Sequence, residues 1–288
     1  DQFISLGVDK VRLTGGEPLL RSQLPVLIKM LAERSQLKDI AMTTNGVLLS
    51  EEKAEELLAR NIMTYQISLD GPSSIQEMRR PSLAGKPTYH TIIRNVGILA
   101  DAGASVAIKV IIDRQNYLEV PELFKDLGDA GLFGKISLSM QHTEAKFAAE
   151  GYEPRFSSLE EFAEIKLDLL EHLARAGHQL QQPSLNREFC NATSRYSTEI
   201  DMAGNFFRCG TEEVNITGKL DDSSTTQEFS NEAYEKMFVD RDFAMAECTN
   251  CKVLPICGGG CTVAAEGLAD REVCPYHKVA IKDILRLV

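Results

Sequence analysis

The sequence predicts an α/β protein: a partial (β/α)6, TIM-like barrel that lacks its first strand here, followed by a small cysteine-rich domain containing a β-hairpin. Three observations predict it. Short β-branched runs alternate with amphipathic segments through residues 1–141, three successive strands end in small polar residues, and five of the seven cysteines crowd into the last 41 residues.

The alternation implies a parallel sheet, because parallel neighbours need crossover connections and those crossovers are usually helices. Phe3 to Leu6 reads as a helix already under way, so at least one strand and its loop are expected before Asp1. Val11 to Thr14 is a strand, Leu24 to Arg34 a helix, Ile40 to Thr43 a strand and Glu51 to Arg60 a helix, by period-2 and period-3.6 apolar spacing. Thr64 to Leu69 is the next strand, and the Pro- and Gly-bounded stretch carrying Arg79, Arg80 and Lys86 reads as a loop. Tyr89 to Ala102 is a helix, Val106 to Ile112 a strand, Leu118 to Leu127 a helix and Ile136 to Met140 a strand.

A polar stretch with Gly151 and Pro154 precedes a long helical pattern, Ser158 to Ala176, which closes the sheet-bearing domain. The domains are therefore drawn at 1–179 and 180–288. In the second, Ser197 to Asp201 and Asn205 to Cys209 form a hairpin through Met202, Ala203 and Gly204. Asp221 to Ser230 reads as a loop, Glu232 to Phe238 as a short helix and Val279 to Leu287 as a closing helix. The glycines at 258, 259, 260 and 267 suit a loop region whose core is supplied by metal.

Composition narrows the class. At 288 residues with 43% hydrophobic and 25% charged content, the chain can build its own core without disulfides. No apolar run reaches the roughly 20 residues of a membrane span and no leader opens the chain, so the expected location is the cytoplasm, away from any membrane. A formal charge of -11 argues against nucleic acid as a partner, since the phosphate backbone is met with Lys and Arg.

Gly15-Gly16-Glu17-Pro18 follows the first strand, Thr43-Thr44-Asn45-Gly46 the second and Ser68-Leu69-Asp70-Gly71 the third. Each alone is an ordinary turn or helix cap. Together they put backbone amides, hydroxyls, an amide and carboxylates around the carboxyl end of a parallel sheet, where α/β proteins hold polar small ligands. Of the histidines, only His142, beside Gln141 at the end of the fifth strand, is a candidate for that rim.

Cys248-x2-Cys251-x5-Cys257-x3-Cys261-x12-Cys274, with Cys190 and Cys209 upstream, supplies enough thiolate for more than one metal centre. The chemistry admits iron–sulfur clusters or zinc.

The Leu13 to Pro18 motif, the Thr-Asn-Gly and Ser-Leu-Asp-Gly strand ends and the terminal cysteine array resemble radical S-adenosylmethionine (SAM) enzymes of the SPASM class, peptide maturases in particular. The resemblance implies that Gly15, Gly16, Glu17 and Pro18 cradle the methionine amino group of the cofactor. Thr44, Asn45, Ser68 and Asp70, with Lys109 and Val110 on the next strand, would complete its site. It implies two auxiliary 4Fe–4S clusters, one on Cys248, Cys251, Cys257 and Cys274, the other on Cys190, Cys209 and Cys261 with one iron lacking a cysteine.

The catalytic cluster's Cys-x3-Cys-x2-Cys motif does not occur in this sequence and is expected upstream, so this segment alone is expected to be inactive. A 5'-deoxyadenosyl radical would abstract hydrogen from a ribosomally made peptide, which would then be oxidised or crosslinked, with flavodoxin or ferredoxin as electron donor. Sulfatase-maturing members carry Asp where Gly210 stands, which weighs against that reaction, and no catalytic residue is assigned. Two other readings stay open: a SPASM enzyme acting on a non-peptide molecule such as a tetrapyrrole precursor, and a zinc-stabilised binding protein without catalysis.

Overall fold

The computed structural model describes residues 2–5, 7–142, 156–183, 197–207, 209, 216–219, 248–260 and 276–288. It divides into two compact units, residues 1–143 with 168–180, and residues 144–167 with 181–288.

The first unit is built on five strands: β1 (Lys10–Leu13), β2 (Asp39–Thr44), β3 (Thr64–Ser68), β4 (Ser105–Ile112) and β5 (Ile136–His142). They pair in sequence order and every pairing is parallel, the sequential arrangement of a TIM-like sheet. Helix α1 (Gln2–Ser5) precedes β1, and α2 (Leu24–Ala32), α3 (Glu51–Leu58), α4 (Ser73–Arg79), α5 (Tyr89–Asp101) and α6 (Val120–Asp129) supply the crossovers. α3 begins where Ser50 accepts a hydrogen bond from the Lys53 amide, with Glu51 and Glu52 favourably placed in the first turn. α2 and α6 each carry Pro in the first turn, where its missing N–H costs nothing.

Strand alternation sorts the sheet into two faces. Ile40, Met42, Tyr65, Ile67, Val106, Ile108, Val110 and Ile112 are buried on one, with Ile92, Val96, Leu99, Leu123, Phe124 and Leu127 of α5 and α6 also in the core. The opposite face carries Arg12, Thr43, Gln66, Ser68, Lys109, Ser137, Ser139 and Gln141, none of them buried. Burial on the Tyr65 and Tyr89 rings raises both phenol pKa values, and the Tyr89 hydroxyl donates to Asp126 at 2.6 Å.

The stretch after β3 departs from expectation. Residues 73–79 form α4 in place of a loop, because Pro72 and the buried Ile75 and Gln76 start a helix that the charged residues at its end had obscured.

The helix α7 (Leu159–Arg175) contains the boundary between the two units. In the second unit, β6 (Glu199–Ile200), β7 (Asn205–Phe207) and β8 (Ile216–Lys219) form an antiparallel sheet in that order. The predicted hairpin is β6–β7, and β8 adds a third strand that sequence patterning did not identify. Asp201 holds the turn: its carboxylate accepts from the amides of Ala203 and Asn205 and from the Asn205 side chain, at 2.7 to 2.8 Å.

A helical turn, Leu254–Cys257, and a C-terminal helix, His277–Leu287, follow. Lys166 is buried, with Nζ 3.7 Å from the Tyr276 ring centre and 5.6 Å from that of Phe162. Burial pushes its pKa down to about 7. Burial, then the nearby Lys166, lowers that of His277 to about 4. The predicted Asp221 to Ser230 loop and Glu232 to Phe238 helix lie outside the described residues.

Candidate functional site

The carboxyl ends of β1 to β4 carry the first candidate site. After β1 the chain turns at Gly15, whose φ of +127° is strained for any other residue, and a Cβ at Gly15 or Gly16 would meet no atom within 4 Å. This is an open loop with its backbone accessible on one side. Pro18–Leu20 then makes one 3-10 turn, capped by Glu17, whose Oε1 accepts from the Leu19 amide at 3.1 Å.

The Glu17 carboxylate also ties this loop to the next. Thr44 Oγ1 donates to Oε1 and the Asn45 amide to Oε2, both at 2.7 Å. Thr44 in turn accepts from the Gly46 amide, and Asn45 Oδ1 from the Val47 amide, so the Thr44 hydroxyl and the Asn45 side-chain oxygen shape the turn. Gly46 has φ +79° and no room for a Cβ, which would come within 3.0 Å of Ile67. Asn95, fully buried on α5, donates to the Gly46 carbonyl at 2.8 Å and fixes the loop from below.

Ser68 and Lys109 are register partners on the half-exposed face, and Lys109 is in turn the partner of Ser139. Parallel register partners project to the same side, so hydroxyl, ammonium and hydroxyl lie in one row. Val110, by alternation, belongs to the opposite face and is fully buried between Ile108 and Ile112, so its side chain can pack the core but cannot reach that row. Gln141 continues the polar face through its pairing with Ile111, whereas His142, one residue on, falls on the other.

Asp70 is 2% exposed, and its carboxylate is engaged by protein groups: Oδ2 with Arg80 Nε at 2.9 Å and Arg79 Nε at 3.4 Å, Oδ1 with the Ile111 amide at 3.1 Å. Arg79 Nη1 also reaches Asp113 Oδ2 at 2.7 Å. The two arginines, expected on a loop, thus face inward onto carboxylates. Asn116, fully buried, donates to the carbonyls of Asp70 and Ile111 at 2.7 Å each. Sequence reading singled out Arg79 but not its pairing with carboxylates, and it missed Asp113, Asn116 and Gln76. The available signal was that Asp113 closes β4 as Asp70 closes β3.

The cysteine array forms the second candidate site. Cys248 is buried, Cys209, Cys251 and Cys257 are half-buried, and none of the four is in a disulfide. The Cys251 amide donates to the Cys248 carbonyl, and three consecutive left-handed glycines, Gly258 to Gly260, follow Cys257. The Gly259 amide donates to Cys257 Sγ at 3.3 Å, the type of bond that stabilises a thiolate ligand. Among the described residues no group of three or more His, Cys, Asp or Glu side chains is arranged to hold a metal ion. Cys190, Cys261 and Cys274, three of the expected ligands, lie outside those residues. The donor set fits thiolate ligation in chemistry: sulfurs outside any disulfide, partial burial and an N–H donor to one of them.

Residues 1–127 match the Radical SAM superfamily. The chain is 39% identical over 107 residues to GTP 3',8-cyclase 3 of Mycobacterium bovis, a match covering 36% of this chain and 27% of that protein. It is 45% identical over 133 residues to GTP 3',8-cyclase of Xanthomonas campestris pv. campestris, covering 44% and 38%. The matches thus span well under half the length of these relatives.

Among solved structures, the native anSMEcpe complex with AdoMet and Cp18Cys peptide has a TM-score of 0.71 at 16% identity, covering 98% of this chain and 86% of that one. SuiB of Streptococcus suis bound to S-adenosylmethionine has a TM-score of 0.60 at 19% identity, covering 95% and 67%. At these identities the likeness is one of fold. No helix among the described residues is long and apolar enough to cross a membrane.

Proposed function

We propose that this protein is a radical SAM enzyme that oxidatively modifies or crosslinks a peptide. The observation that carries the cofactor reading is the rim itself: an open Gly15–Gly16 loop at the carboxyl end of β1 and a row of Ser68, Lys109 and Ser139 on the polar face of the same sheet, most of it within the residues matching the Radical SAM superfamily. Members of that superfamily use SAM and a 4Fe–4S cluster, whose reductive cleavage of the cofactor supplies a 5'-deoxyadenosyl radical for hydrogen abstraction.

The residues present suit such a cofactor. Gly15 and Gly16 expose backbone acceptors for an ammonium group, and the Lys109 ammonium with the Ser68 hydroxyl suits a carboxylate. Glu17, Thr44 and Asn45 act by holding the loops at their present spacing, and Asp70 by holding the β3 end. Val110 contributes packing behind Lys109. The seven cysteines, Cys190, Cys209, Cys248, Cys251, Cys257, Cys261 and Cys274, would hold auxiliary clusters. Those clusters would give a route for the electron lost after hydrogen abstraction, flavodoxin or ferredoxin would be the external electron donor, and the protein positions the chemistry.

A peptide substrate is supported by the fold likeness over 98% of the chain to a protein solved with a bound peptide. The GTP 3',8-cyclase relatives support a second reading, a small non-peptide substrate, although they match only 36% to 44% of the chain.

The test is 5'-deoxyadenosine formation from SAM by the complete gene product, purified without oxygen and reduced with dithionite. Formation of the nucleoside is expected, and its absence in cluster-loaded protein would overturn the proposal. Adding GTP and pooled synthetic peptides separately distinguishes the substrates: the one that accelerates cofactor cleavage and gains or loses hydrogen mass is the substrate class.

A further inference from the structure

We infer that Arg79 is a positioning residue for the cofactor site: by bridging the buried carboxylates of Asp70 and Asp113, it locks the ends of β3 and β4 in the register that sets Ser68 beside Lys109. This rests on the reading of the rim as a SAM site.

The geometry begins where β3 ends. The ladder continues one residue beyond Ser68, with the Leu69 amide donating to the Lys109 carbonyl at 3.0 Å. At Asp70 the chain turns away toward α4, yet β4 runs on to Ile112 and its Ile111 amide needs an acceptor. The Asp70 carboxylate supplies it, replacing the backbone carbonyl that a longer β3 would have offered. Asn116 closes the same gap from the other side by donating to the carbonyls of Asp70 and Ile111. The Asp70 amide donates to Gln76 Oε1 at 3.0 Å, so α4 is fastened to the same residue.

Two carboxylates are buried in this knot, Asp70 at 2% and Asp113 at 0% exposure, and such burial is tolerated only with charge and hydrogen-bond compensation. Arg79 addresses both, through Nε to Asp70 and Nη1 to Asp113. Only a planar fork does this; a lysine is a point charge and cannot span two acceptors with fixed directions. Ser68 lies two residues before Asp70, and Lys109 four before Asp113. Loosening the bridge therefore moves the two side chains that face the proposed cofactor, although Arg79 itself lies in α4 and touches neither. Arg80 is the contrast: it is exposed and meets Asp70 alone.

The experiment measures SAM affinity by calorimetry on cluster-loaded, anaerobically purified protein, with the thermal midpoint followed in parallel. Arg79→Lys is expected to fold, with a lower midpoint and an affinity about ten-fold or more weaker, since small misplacements of positioning groups have large effects. Arg79→Gln combined with Asp113→Asn removes one charge from each side. It is expected to recover midpoint relative to Arg79→Gln alone while still binding SAM weakly. Arg80→Gln removes one contact to the buried Asp70 but leaves the Arg79 bridge to Asp113 in place, so its SAM affinity should fall clearly less than that of Arg79→Lys.

A purely structural Arg79 would give variants that, well below their midpoints, bind SAM within about two-fold of the unaltered protein, and that result overturns the inference. An equal loss in Arg80→Gln overturns it too, because the bridge would then have no special role. If the unaltered protein binds no SAM, the cofactor reading falls and this inference with it; if it binds and the Arg79 variants match it, only the bridge is refuted.

Discussion

The sheet unit and the cysteine-bearing unit are held together by different means. The first buries a continuous apolar face of β2 to β5 under helices, then uses the polar residues of the strand ends to tie one loop to the next. The described part of the second buries few large apolar side chains, chiefly Phe162, Phe206, Phe207 and Ile284, beside short strands, a buried lysine and cysteines outside any disulfide. Those described residues gain little from apolar burial, and metal ligation by the thiols would supplement it. The difference teaches that stability and chemistry overlap in the second unit and are separable in the first.

Removing thiols should expose this contrast most strongly. Cys251→Ala with Cys257→Ala is expected to lower bound iron by about four per chain if one 4Fe–4S cluster is lost. Hydrogen exchange should accelerate in residues 248–260 and 276–288 and remain slow in β2 to β4. Unchanged iron, or equal acceleration in the sheet, would break the comparison.

The converse change is Ile108→Ala, at a fully buried position of β4. Its expected cost is about 2–5 kcal/mol, from lost transfer energy and the cavity left behind. Denaturant unfolding should show it in the sheet unit, with iron content unaltered.

The pH response should also differ. The depressed pKa of Lys166 means that the unfolded chain binds more protons than the folded one between about pH 7 and the ordinary lysine value of 10.5. Stability of the second unit should therefore rise with pH across that window, and the penalty of the buried ammonium should be fully present below about 7. His277 acts in the same direction lower down, its contribution being lost as pH falls from 6.5 toward about 4. Lys166→Met should flatten the upper window when thermal midpoints are compared from pH 6.5 to 9.5, and an unchanged slope would contradict the assignment.

The smallest effect expected is at the hairpin. Asp201→Ala removes acceptors from an exposed turn and should cost about 1 kcal/mol, comparable to loss of a helix cap. The test is unfolding of the second unit, and a loss in the sheet unit would be the contrary outcome.

The strands and most helices of the sheet unit were legible because alternation and helical periodicity record burial directly. α4 was not, since a seven-residue helix ending in Arg79 and Arg80 resembles an exposed charged loop until its acceptors are placed. β8 was missed because four residues, Ile216 to Lys219, offer too short a pattern, and its pairing to β7 is irregular between Phe206 and Phe207.

The rim motifs were found from turn chemistry, but their division of labour was not. Nothing in Thr44 or Asn45 as residue types says that the hydroxyl and amide will be directed to Glu17 and to the turn. Nor does Lys109-Val110 as a dipeptide reveal which neighbour faces the core, because a strand's inward and outward sets are decided by its partners' register.

By itself the sequence determined the order of strands and crossovers, the place of the rim at their carboxyl ends and the concentration of thiols, all of which follow from local periodicity and residue chemistry. Only the tertiary structure decided that Asp70 serves β4, that Arg79 joins two carboxylates, and that Ser68, Lys109 and Ser139 form one row. Those relations link residues up to 71 positions apart, Ser68 to Ser139, and arise from long-range register and burial that no local pattern encodes.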